Sequence, residues 1–156
     1  MRDLVVLLCI KRGHAEIAIQ AIKTWVPREG ALEQKQGRRI VLLAGGQEFT
    51  ATGDSQFKKG DALFAYFEVD EPLLVSTPPA KIQVRLRVTN VQTDELKVDT
   101  GLQDVSTAAR RGKSIVPIAE EVAVDKLPAG SYRLEVQAAD SAGNGTQWRA
   151  ANFTVE

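Results

Sequence analysis

From residue 40 onward, apolar side chains fall at every second position, the period of a strand with one buried face. The clearest run places Ile82, Val84, Leu86 and Val88 between Lys81, Gln83, Arg85, Arg87 and Thr89. A second sets Tyr132, Leu134, Val136 and Ala138 against Ser131, Arg133, Glu135 and Gln137. Ala151, Phe153 and Val155 alternate on its expected return arm. Between Ala62 and Asp70 both sets are apolar in part: Leu63, Ala65, Phe67 and Val69 form the expected core face, and Phe64, Tyr66 and Glu68 point the other way. Two outward aromatics on one strand need a cover. A neighbouring domain, residues 15–26, a protein partner or a sugar ring would each supply one.

Turn residues punctuate these runs. Gly45-Gly46 separates Ile40–Ala44 from a short partner at Gln47–Thr52, and Lys58-Lys59-Gly60-Asp61 precedes the Ala62 run. Pro72, Pro78 and Pro79 interrupt a loop, Thr93-Asp94 centres a short hairpin over 90–100, and Gly101–Lys113 reads as a long polar loop. Ser114–Ile118 and Glu121–Lys126 supply further strand material, with Val122 and Val124 inward. Asp140-Ser141-Ala142-Gly143-Asn144-Gly145 joins the last hairpin, with positive φ expected at Gly143 and at Asn144 or Gly145. The pattern predicts an all-β fold, an antiparallel sandwich of about seven to nine strands.

Residues 1–39 have a different character and are expected to form an appendage and linker before a 40–156 domain. They hold eight of the chain's 20 basic residues, at Arg2, Lys11, Arg12, Lys23, Arg28, Lys35, Arg38 and Arg39, against four acidic ones. Leu4–Ile10 is apolar, but Lys11-Arg12 follows at once with no small-residue cleavage site, so a buried strand or the cut end of a longer chain fits better than a secretory signal. Ala18, Ile22, Trp25 and Val26 make a helical stripe ended by Pro27, although Ile17, Ile19 and Ala21 also fit a strand. Glu29–Arg39 is polar and glycine-containing, as a linker would be.

Charge and composition narrow the function. Lys plus Arg and Asp plus Glu both number 20, and Arg110-Arg111-Gly112-Lys113 has no aromatic within it, so solvated loop charge is preferred to a nucleic-acid footprint. Cys9 is the lone cysteine, which excludes an intrachain disulfide and a cysteine zinc site. His14 is the lone histidine, and no partner at a suggestive spacing accompanies it. Asp70-Glu71, Asp94-Glu95 and Glu120-Glu121 fall at strand ends or in loops. Asp140 and Asn144 offer one carboxylate, too few for calcium. Asn144-Gly145-Thr146 and Asn152-Phe153-Thr154 match glycosylation sequons, which matter only in a secretory host. No catalytic residue, cofactor or metal is therefore expected.

The most specific stretch is Leu127-Pro128-Ala129-Gly130-Ser131-Tyr132, followed by Ala139–Asn144. Pro128 and Gly130 turn the chain between sheets, and Tyr132 can return its hydroxyl to the backbone upstream. This looks like the tyrosine corner of immunoglobulin-like sandwiches. With Phe57–Asp61, Phe64–Val69 and Ala151–Val155, it resembles the C-terminal β-sandwich of large bacterial VWFA-related proteins over residues 40 to 156. The A-type domain is missing, since Asp104-Val105-Ser106-Thr107-Ala108 fails its metal motif at the last position. The resemblance implies an extracytoplasmic, noncatalytic structural or protein-interaction module. A carbohydrate-binding module is the rival, with a platform around Phe64, Tyr66 or Trp148. A neighbouring domain, a protein or a glycan is the expected partner, with neither nucleic acid nor membrane insertion.

Overall fold

The computed structural model describes residues 55–156, the strand backbones of 3–11, 31–34, 39–44 and 47–50, and the side chain of Ala44. The first sheet has the order β1-β6-β10, from Asp3–Lys11, Leu63–Asp70 and Ile115–Val122. The second has the order β5-β12-β11-β7-β8, from Gln56–Phe57, Arg149–Val155, Gly130–Asp140, Ile82–Asn90 and Leu96–Asp99; β9 (Gln103–Asp104) also pairs with β7. Every pairing is antiparallel except β12 with β5. A third sheet joins β2 (Ala31–Gln34), β3 (Arg39–Ala44) and β4 (Gln47–Thr50). The fold is an all-β sandwich.

Its interior is made by the alternations. Leu63, Ala65, Phe67, Val69, Val116, Ile118 and Val122 from the first sheet meet Ile82, Val84, Leu86, Val88, Leu134, Val136 and Ala138 from the second in one buried cluster. Each large aliphatic side chain buried there is worth about 1.5–3 kcal/mol relative to an exposed one. Three aromatics fill one part of this core: Phe153 stacks on Tyr132 at 5.5 Å and meets Phe57 edge-on at 6.0 Å. Val124 is buried as expected, but in a 3-10 turn over Val124–Lys126 rather than in a strand. Pro117, which cannot donate to a ladder, lies on β10, paired on one side only within its sheet.

The turns follow local chemistry. Gly60 takes φ +91, with the Asp61 N–H donating to the Lys58 carbonyl at 3.0 Å and the Lys58 N–H to the Asp61 carboxylate at 2.7 Å. In the 140–145 turn only Gly143 has positive φ, at +89; Asn144 and Gly145 do not, because the Asp140 carboxylate organises the loop. It accepts from the N–H groups of Ala142 at 2.8 Å and Asn144 at 2.9 Å, and from the Asn144 side chain at 2.7 Å.

In the amino-terminal segment the strand expected over Leu4–Ile10 forms, and the expected linker holds a strand as well. β1 pairs with β6 from Asp3↔Asp70 to Lys11↔Leu63, with an irregularity between Leu4 and Leu7, so part of the expected appendage completes the first sheet. Ala31–Gln34, expected as linker, pairs with Arg39–Leu42. Neighbouring strands supplied the backbone partners that a polar local sequence did not advertise. The 15–26 stripe lies outside the described residues.

Candidate functional site

Phe64 and Tyr66 were candidates for an exposed surface, and the fold withdraws them. Tyr66 is fully buried and Phe64 is 9% exposed, because β6 is the central strand of its sheet and both its faces are covered. The β3–β4 hairpin lies close to β1 and β10 across this region, and Ala44 lines a recess with Phe64. The Tyr66 hydroxyl donates to Glu68 Oε1 at 3.0 Å. Burial, the Glu68 charge and this hydrogen bond all push the phenol pKa up, so it stays neutral. Alternation identified the face correctly, but it carries no information about whether a second layer lies on that face.

Trp148 lies elsewhere, over the outer face of the second sheet. It is half-buried, and the Arg87 guanidinium packs 3.8 Å from its ring centroid. Register places Arg87 opposite Glu135 on β11, and their side chains meet at 3.5 Å; Arg133 approaches Glu135 at 3.6 Å. Arg85 Nε donates to Asp99 at 2.8 Å, and that bond holds the Asp99 carboxyl well below its usual range. The outer face is thus a set of paired charges with one aromatic lid. The three proposed platform aromatics do not share a face open to a sugar, and the exposed large apolar side chains of the described residues are Leu73, Val75, Val91, Leu96 and Leu102.

The tyrosine corner residues assemble as their spacing implies. Leu127 is 2% exposed, Gly130 opens β11, and the Tyr132 hydroxyl donates to the Pro128 carbonyl at 2.7 Å while its ring is fully buried.

Two loops come together to make the candidate site. The 3-10 turn Pro72–Val75 and the following Ser76–Ala80 form one wall; Ser106 and Ala109–Gly112 form the other, with Lys81 between them. They enclose a cleft of about 680 Å³. Leu74, Val75, Pro79 and Ala109 line it with apolar surface, and Val75 is 57% exposed. Among the described residues its charged lining is Lys81, Arg110 and Arg111, with no carboxylate.

Both walls are held by side-chain hydrogen bonds. Glu71 accepts from the Leu73 N–H at 2.9 Å, and Ser76 Oγ bonds the carbonyls of Leu73 at 2.6 Å and Pro78 at 3.0 Å. Opposite, Ser106 Oγ accepts from the Ile82 N–H at 2.9 Å, and Asp104 accepts from the Ser106 N–H at 2.9 Å. The Ser106 bonds and the Lys81 charge lower the Asp104 pKa. The Ser76 and Ser106 hydroxyls in this cleft are therefore engaged with backbone, and among the described residues no histidine lines it to act as a base.

Sequence reading treated Arg110-Arg111 as solvated loop charge and the Pro72–Pro79 stretch as a loop. The missed signal was Leu73-Leu74-Val75, three large apolar residues in a loop, where burial or a partner is needed.

A second recess, of about 410 Å³, runs along β10 beside Phe64 and the Ser106–Ala108 3-10 turn. Glu120 and Asp104 line it, and burial raises the Glu120 pKa. Among the described residues no group of three His, Cys, Asp or Glu side chains is arranged to hold a metal, and no helix is long and apolar enough to cross a membrane. Comparison with protein-family models and with curated proteins finds no match to this chain.

Proposed function

We propose that this chain is a noncatalytic structural or protein-interaction module, of immunoglobulin-like type, belonging to a larger extracytoplasmic bacterial protein of the VWFA-related kind. The observation that carries the interaction reading is the loop-built cleft between Leu74–Lys81 and Ser106–Gly112. Its walls are apolar, its rim is cationic, and its serine hydroxyls serve the backbone. Such a lining supplies affinity and orientation but no nucleophile–base pair. The Tyr132-to-Pro128 hydrogen bond supports the immunoglobulin-like assignment, since this local device anchors a sheet-to-sheet crossing in those sandwiches.

The test is turnover. The full chain, incubated with chromogenic ester, glycoside, phosphoester and peptide substrates, is expected to release product no faster than buffer. Activity that follows the protein through successive orthogonal columns would end the noncatalytic reading.

A further inference from the structure

We infer that the cleft between the 72–81 and 106–112 segments binds an extended acidic peptide of a protein partner, seating an apolar side chain between its walls and placing flanking carboxylates on Arg110 and Arg111. This rests on the interaction-module reading and gives it a site and a partner chemistry.

Charge complementarity selects the peptide's acidity. Arg110 and Arg111 are exposed, neither makes an ion pair with a described residue, and no described carboxylate lines the cleft. Lys81 is the third cation, and Asp104 lies within its field, so the two arginines carry most of the unbalanced charge. A guanidinium presents a planar fork of donors that fits a carboxylate in two-point contact.

Wall chemistry selects the apolar anchor. Val75, which lines the cleft, is 57% exposed although it belongs to a turn fixed by Glu71 and Ser76. Large apolar groups held rigidly at a cleft mouth reduce the ordering cost of receiving a partner side chain.

The same lining argues against other macromolecules. Among the described residues it contains no aromatic on which a nucleobase would stack. Leu74 and Ala109 are recessed and only partly buried, as suits an inserted side chain more than a flat lipid surface.

The experiment selects a displayed library of random decapeptides on the immobilised full chain, on R110E/R111E and on V75D. Retention of the thermal melt in both variants establishes that the substituted loops remain folded. The expected result is enrichment of sequences with Asp or Glu flanking Leu, Ile, Val or Phe. The best selected peptide, made synthetically, should lose about tenfold or more in affinity against R110E/R111E. Against V75D the preference for the apolar residue should fall. Absence of any enriched motif overturns the inference, as does a motif indifferent to both variants. Binding to phosphatidylglycerol vesicles that R110E/R111E abolishes, with no peptide motif, overturns it in favour of a membrane surface. None of these outcomes bears on turnover, so failure of the peptide site and failure of the noncatalytic reading are separately visible.

Discussion

The Tyr132 hydroxyl donates to the carbonyl of Pro128, four residues upstream, across 2.7 Å, while its ring stacks on Phe153 inside the core. One side chain therefore ties the crossing loop to the strand that follows it. Tyr132→Phe keeps the ring and removes the hydrogen bond, and is expected to cost about 1 kcal/mol. Tyr132→Ala also opens a cavity beside Phe153 and should cost roughly 3 to 5 kcal/mol. Denaturant melts of both variants decide it; equal, small losses would show that the corner does not anchor the fold.

Arg87 lies between Glu135 and Trp148 on the outer face of the second sheet. Trp148→Ala, Arg87→Ala and the double variant form a cycle whose coupling should be about 0.5–1 kcal/mol. Additive losses would mean that the stacking contributes nothing to stability.

Asp140 and Glu120 should respond to acid in opposite senses. Burial pushes Asp140 up, but the Asn144 side chain and N–H, Glu71 and the Ala142 N–H outweigh it and leave the pKa at about 2. Its stabilising contribution is present above the ordinary value near 3.8 and is lost as pH falls through about 2. Asp140→Ala should therefore destabilise by about 1–3 kcal/mol at neutral pH, with the gap to the parent narrowing in strong acid. Melts at graded pH check this, and a gap that widens in acid would contradict it.

Burial raises the Glu120 pKa above 4.5. Its contribution is complete below that ordinary value and is lost as pH rises through the higher folded value. Glu120→Gln removes the ionisation, so the variant should gain on the parent between pH 4 and pH 7. An unchanged difference across that range would place Glu120 in a solvated setting.

The β1 strand covers one edge of β6. Deleting residues 1–38 leaves that edge open and should raise dye binding and promote association, since an unpaired central strand is a template for other chains. Sedimentation and dye fluorescence measure it; an unchanged monomer with unchanged fluorescence would count against the pairing.

Several elements were legible from local order. Ile82–Val88 and Tyr132–Ala138 have inward and outward sets that follow from a two-residue period, and that period belongs to the backbone itself. The Tyr132 corner and the Lys58–Asp61 turn were legible because their partners lie within four residues. What lies farther off was decided by tertiary structure. Phe64 and Tyr66 became interior when a further layer closed on their face, which no alternation encodes. Glu33 and its neighbours became a strand because β3 offers them backbone partners. The cleft joins Leu74 and Val75 to Arg110 and Arg111 only because one loop, closed on Leu73 by Ser76 and Ala80, leads into β7, while Ser106 of the other bonds Ile82 at the start of that strand. Periodicity and turn chemistry act over a few residues. Burial of a face, pairing of a strand and convergence of two loops are properties of where distant segments meet, and they are set by the packing of the whole core.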